Sequence, residues 1–248
     1  MFPIRDHNPS GRTPYVTFAL IAANVGWFLL YWLGAASENQ IWALFETRGL
    51  IPARIMAGEG WATFFTAIFL HGGWMHLIGN MLFLWIFGDN LEDIMGHLRF
   101  ALFYLASGIA AALLQIAAEP SSLVPMVGAS GAIAGVMGGY LLLFPKARVD
   151  ILLIFIIFFR VFPVPAWAML GLWFGLQLLN GLSTPSDGGG VAYWAHAGGF
   201  AAGLMLTIPF WLSRGGPAFW RRTHGAPPHP DAQYPLAKSG VPRVPRRK

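Results

Sequence analysis

Three short clusters hold side chains that can exchange protons or attack a carbonyl. The first is His71-Gly-Gly-Trp-Met-His76-Leu-Ile-Gly-Asn80. His76 and Asn80 are four residues apart, so on a helix they share one face, a turn from each other. The second is Gly128-Ala129-Ser130-Gly131, and the third is Ala195-His196-Ala197-Gly198-Gly199 with Gly203 following. A serine hydroxyl becomes a nucleophile when a base stands beside it, and histidine is the commonest such base. Each cluster also has a plainer reading. Serine before glycine caps or packs, and Gly131, Gly135, Gly139 and the Gly199, Gly203 pair are stripes through which helices pack closely. The stripes adjoin the polar residues, however. Two helices meeting through those glycines would carry Ser130 and His196 toward one another.

The elements that must position these residues follow from composition. Of 248 residues 56% are hydrophobic and only 11% charged, where a soluble domain carries about 25% charged residues. That excludes a soluble globule, and high hydrophobicity excludes a disordered chain. A multi-span membrane protein remains. There is no cysteine, hence no disulfide, thiolate nucleophile or Cys-ligated metal.

Apolar runs predict six spans. Tyr15 to Gly34 is too long for a signal-peptide core and reads as a true span, with Asn24 inside it as a helix-packing amide. Residues 37–73 are mixed and carry Trp42, Phe45, Trp61, Phe64 and Phe65, which suits a loop in the membrane interface. Then come Trp74 to Phe87, Leu98 to Ala118 and Ala129 to Phe144. The run Ile151 to Phe159 is too short to cross and is broken by Arg160, Pro163 and Pro165; it reads as an interfacial or re-entrant piece, or as the start of a kinked span reaching Leu182. The last span runs from Val191 to Leu212. The expected class is an all-α membrane protein.

With the N-terminus inside, the inner side receives Arg5, Arg12, Arg99, Lys146, Arg148, Arg160 and every basic residue from Arg214 onward, and the outer side only Arg48 and Arg54. That bias orients the chain with both termini cytoplasmic. The organisation is then a cytoplasmic segment 1–14, a membrane domain 15–212 and a Pro-rich basic tail 213–248, expected to be disordered and to touch anionic lipid. No aromatic-interleaved basic module supports nucleic-acid binding. In this topology all three polar clusters fall at similar depth on the extracytoplasmic side.

With these residues in this order, the chain resembles the rhomboid intramembrane serine proteases, of bacterial type. The motifs are the His-x-x-x-Asn of the second span, the Gly-x-Ser-Gly opening the fourth and the Ala-His with trailing glycines in the sixth; the resemblance covers residues 15–212. It implies a six-transmembrane-helix bundle with a membrane-embedded first loop matching 37–73. It also implies Ser130 as nucleophile and His196 as general base, with His76, Asn80 and the backbone of Ser130 binding the oxyanion. His71, Gly128 and Gly131 take supporting roles. No metal or other cofactor is implied. The expected partners are single-pass transmembrane substrates within the lipid bilayer, and the expected location is the bacterial inner membrane with the site facing outward. Two departures from the family pattern stand out. Many relatives carry an aromatic residue four positions after the nucleophile, and Ala134 stands here. The Trp-Arg pair common in the first loop is absent.

Other classes fit less well. An inactive rhomboid-like binding or quality-control factor would lack the Ser or the His, and both are present. A transporter needs polar residues lining a path across the bilayer, whereas Asn24, Gln115, Gln177 and Asn180 are scattered. A zinc protease needs an acid between properly spaced histidines, and a soluble hydrolase elbow needs Gly where Ala132 stands. No carboxylate lies one turn from His196; Asp187 is the nearest in sequence, in the loop before the last span.

Overall fold

A computed structural model of the chain describes residues 2–35, 37–155, 158–183 and 190–228. Helix α1 (Tyr15–Gly34) contains no charged residue, so its leading N–H groups need an outside acceptor. Glu92 supplies it: its carboxylate accepts from the N–H groups of Val16 and Thr17, both at 2.8 Å, and from Thr17 Oγ1 at 2.7 Å. A negative side chain at this end also suits the helix dipole. Asn24 is buried, but its amide donates to Leu20 O of its own helix rather than to a neighbour.

The first loop folds into α2 (Glu38–Arg48), α3 (Pro52–Met56, with Pro at its start) and α4 (Thr63–Thr66), followed by a 3-10 turn at Ala67–Phe69. Leu50, Ile55, Phe64 and Ala67 from this loop bury against Ala112 and Ile116, while Trp42 and Trp61 stay exposed. At Trp74 the chain turns 97° from the α4 segment into α5 (Trp74–Met95). Gly96, with φ +78°, makes the tight connection to α6 (His97–Ala118). Then follow α7 (Ser130–Leu143), α8 (Ala166–Ser183) and α9 (Tyr193–Ser213). Most of α7 is buried, including Ala132, Ala134, Val136 and Tyr140; it is the centre of the bundle.

All six expected runs contain a helix. By length and composition α1, α6 and α9 qualify as membrane spans among the described residues, and the bent pair of α4 and α5 raises the number to four.

The helical bundle expected from the sequence is accompanied by one element that was not. A three-stranded antiparallel sheet is built from β1 (Phe2–Asp6), β2 (Arg148–Phe155) and β3 (Phe158–Pro165), in the order β1-β2-β3. The run at 151–159 is thus neither re-entrant nor the start of a span. Its described residues belong to β2 and β3, which pair antiparallel with Val149 opposite Val164 and Ile151 opposite Phe162. Pro163 and Pro165 lie on the outer strand, where proline is tolerated because no ladder N–H is missed. The N-terminal segment supplies the third strand, and Asp150 binds it through Arg5 Nε at 2.7 Å and His7 Nε2 at 2.9 Å.

A second correction concerns the tail. The chain does not leave the fold at Ser213. After a turn at Gly215 and Gly216 it forms α10 (Pro217–Thr223), which buries Phe219 and donates Trp220 Nε1–H to Leu142 O at 3.0 Å. The apolar pair Phe219-Trp220 within a basic stretch drives this return. The end of the tail, 229–248, lies outside the described residues.

Candidate active site

The glycine stripes decide how α7 and α9 meet. A Cβ on Gly199 would sit on the carbonyl of Gly131, one on Gly203 on the carbonyl of Gly135, and one on Gly138 on the carbonyl of Phe200. On the other side, a Cβ on Gly131 would lie 2.6 Å from Ala111 Cβ of α6. The helices therefore pack backbone to backbone, closer than any side chain permits. Ser130 is the first residue of α7 and His196 lies in the first turn of α9. This packing places Ser130 Oγ 2.8 Å from His196 Nε2.

The start of α9 is held independently. Ala195 N–H, one of the leading donors that a helix leaves unsatisfied, donates a hydrogen bond to Gln115 Oε1 at 3.0 Å. Gln115 in turn donates to Glu119 Oε2 at 3.0 Å. The approach to α7 is held too. Leu50 and Met126 exchange backbone hydrogen bonds at 3.0 and 2.7 Å, and Gly128 N–H donates to Ala67 O at 2.9 Å. The first loop thereby fixes the strand of chain leading into Ser130.

The far side of the imidazole is occupied by α8. His196 Nδ1 lies 2.8 Å from Gln177 Oε1, and the Trp173 ring stands 5.7 Å from the His196 ring at a 34° tilt. Sequence reasoning missed both as site residues. They are four apart and so share one helix face, but nothing in the sequence pairs that face with His196. With Ala134 standing four residues after the nucleophile, the aromatic ring against the imidazole is that of Trp173. Asp187 lies outside the described residues.

His76 and Asn80 approach from α5. A Cβ at Gly128 would lie 2.8 Å from His76 Nε2 and 3.6 Å from Asn80 Nδ2. Gly128 also has φ +125°, so both backbone and space demand glycine there. Asn80 Nδ2 is buried without a hydrogen-bond partner. His71 is fully buried, packs its ring edgewise on His76 at 5.1 Å and clasps α1 through its backbone, which pairs with Tyr31 Oη. Ser130, His196, His76 and Asn80 all line one cavity of about 680 Å³ with otherwise largely apolar walls. A hydroxyl bonded to an imidazole, beside an unsatisfied buried amide donor, can form a nucleophile and stabilise a developing oxyanion. Among the described residues no group of three or more His, Asp or Glu is placed to share a metal ion.

The Rhomboid domain model matches residues 58–213. The chain belongs to the rhomboid family. It is 30% identical over 194 residues to Rhomboid protein 1, mitochondrial, of Saccharomyces cerevisiae, covering 77% of this chain and 51% of that protein. It is 36% identical over 132 residues to Rhomboid protease GluP of Bacillus subtilis, covering 52% and 24%. It is 33% identical over 161 residues to RHOMBOID-like protein 4 of Arabidopsis thaliana, covering 64% and 36%. The rhomboid chain thus spans from about a quarter to about half of the length of these relatives. Its family and its apolar helices make it an integral, multi-pass membrane protein, and intramembrane proteolysis is the activity at family level.

Proposed function

We propose that this rhomboid is an intramembrane serine endopeptidase that cleaves single-pass transmembrane proteins with a Ser130–His196 dyad. The observation that carries the reading is the 2.8 Å hydrogen bond between Ser130 Oγ and His196 Nε2 at the wall of an apolar cavity. Ser130 Oγ attacks the scissile carbonyl while His196 Nε2 takes its proton and then delivers it to the leaving amine. Water attacks the resulting ester by the same relay in reverse, which regenerates Ser130. The carbonyl oxygen becomes an anion in each half. It is met by Asn80 Nδ2, by His76 and by the N–H of Ser130, which at the first position of α7 has no acceptor within its helix. His71 stiffens His76, Gly128 gives the oxyanion site its room, and Gly131 sets the approach of α9.

The cavity wall includes Phe45, Met75, Phe83, Met137 and Val191, which suits an apolar segment unwinding from a membrane helix. The basic bias of the loops supports a topology with both termini in the cytoplasm and the cavity toward the extracytoplasmic side; the membrane we propose for it is a bacterial inner membrane. The test is labelling of the purified protein with a fluorophosphonate alongside cleavage of a model transmembrane substrate. Labelling confined to Ser130, with both signals lost in Ser130→Ala and His196→Ala, supports the dyad. Full cleavage by Ser130→Ala overturns it, and a folded wild type that neither labels nor cleaves favours an inactive binding factor.

A further inference from the structure

His196 has two ring nitrogens, and Ser130 engages only Nε2. The partner of Nδ1 is Gln177 Oε1 at 2.8 Å, from a residue only 8% exposed. The second contact of Gln177 fixes which way its amide faces. Its Nε2 donates to Trp173 O at 3.3 Å. A backbone carbonyl can only accept, so the NH2 group faces Trp173 and the oxygen faces the imidazole. An amide oxygen also only accepts, so His196 Nδ1 carries the proton. In a neutral imidazole the lone pair is then on Nε2, aimed at the Ser130 hydroxyl. A carbonyl in α8 therefore sets the histidine tautomer through one amide.

We propose that Gln177 is a positioning residue for His196, holding both its tautomer and its ring plane in the role a carboxylate fills in a serine-protease triad. Trp173, one turn earlier on the same face of α8, covers the ring and limits its tilt. A neutral amide suits the place. A carboxylate buried among apolar side chains is costly to desolvate, whereas an amide with both ends bonded carries no charge to desolvate. When His196 takes the serine proton, Nδ1–H stays bonded to Oε1 and the ring cannot swing away with its charge. The proposal rests on the dyad reading above and adds to it a third residue, contributed by α8.

The test uses the full chain reconstituted in lipid vesicles, with kcat and KM measured on a model transmembrane substrate and fluorophosphonate labelling rates measured in parallel. Gln177→Leu is expected to lower kcat and the labelling rate by at least about tenfold, a part of the 10²–10⁴ that the general base itself contributes. KM should stay within about twofold, because Gln177 acts through His196 rather than on bound substrate. Gln177→Glu keeps an acceptor oxygen in either protonation state and should restore kcat. Gln177→Asn, shorter by one methylene, should not. Where Gln177→Leu fails to fold, the Glu and Asn pair carries the comparison. An unchanged kcat in Gln177→Leu, or equal kcat in the folded Glu and Asn variants, overturns the proposal. Ser130→Ala run beside them separates the two claims: retained cleavage there defeats the dyad itself, whereas its loss together with a normal Gln177→Leu defeats only the role of Gln177.

Discussion

The carbonyl of Gly131 occupies the place where a Cβ on Gly199 would stand. This contact is one residue from Ser130 and three from His196, so the distance between hydroxyl and imidazole is a property of two backbones. Gly199→Ala should force α7 and α9 apart. Overpacking of this kind costs about 1–3 kcal/mol, to be read as a lowered midpoint in thermal unfolding in detergent. Cleavage should fall further than stability does, since a shift below 1 Å already breaks the 2.8 Å bond. Gly34→Ala, where nothing lies within 4 Å of the added methyl, should leave both measurements unchanged.

Asn80 brings a buried amide nitrogen without a partner. A donor waiting for a charge that exists only during reaction should matter to kcat and not to KM. Asn80→Ala is expected to lower kcat by about 10²–10³ with an unchanged unfolding midpoint. Steady-state kinetics on a model substrate would show it, and a pure KM effect would reassign Asn80 to substrate binding.

Glu92 closes the start of α1 with three hydrogen bonds and also meets His97 Nδ1 at 2.6 Å. It is 1% exposed. Glu92→Ala strands two backbone N–H groups and a hydroxyl, each costing about 1–3 kcal/mol if left unsatisfied. Denaturant unfolding should register a loss of several kcal/mol, large for a residue at the opposite end of the bundle from Ser130.

Asp6 gives the sheet a pH dependence. Tyr140 Oη donates to its Oδ2 at 2.6 Å, yet burial raises the pKa of the Asp6 carboxyl from 3.8 to about 8, favouring a proton on the carboxyl itself. The folded chain therefore holds that proton over a range where the unfolded chain has lost it. The contribution is complete below about pH 4 and is lost as pH rises through about 8. Asp150 slopes the other way. Burial raises its pKa, but the hydrogen bonds and charges of His7 and Arg5 outweigh that and bring it below 3.8, so its contribution is lost in acid. Unfolding midpoints measured from pH 5 to 9 should fall with pH in the wild type, and the slope should flatten in Asp6→Asn.

Much of this site is legible in the sequence because its parts are local. Ser130 beside Gly131, His196 a turn before Gly199 and the four-residue spacing of His76 and Asn80 all survive in one dimension. Gln177 does not. A single amide in an apolar helix, 19 residues before the histidine it touches, carries no spacing signature until α8 is laid against α9. The sheet was hidden for a different reason. Strand β2 alternates only over Arg148 to Ile151 and then runs unbroken apolar to Phe155, so it lacks the sustained alternation that marks a half-exposed strand, and its partner β1 is five residues long. Phe219 and Trp220 were masked by the arginines that follow them, although two adjacent aromatics in a basic tail have reason to seek the bundle.

Helix α7 has 14 residues, hence a length of about 21 Å, and its far end is moored to the sheet through Tyr140. On the topology proposed above, with the far end of α7 at the cytoplasmic surface of a bilayer core about 30 Å thick, Ser130 lies about 9 Å below the outer surface. An extended chain covers about 3.3–3.6 Å per residue, and crossing that depth uses about three residues on the way down and as many on the way back. On the protease reading, a tight surface loop would lack the slack to deliver its peptide bond, whatever its side chains. Reach, as well as chemistry, would then sort the polypeptides this protein can cut.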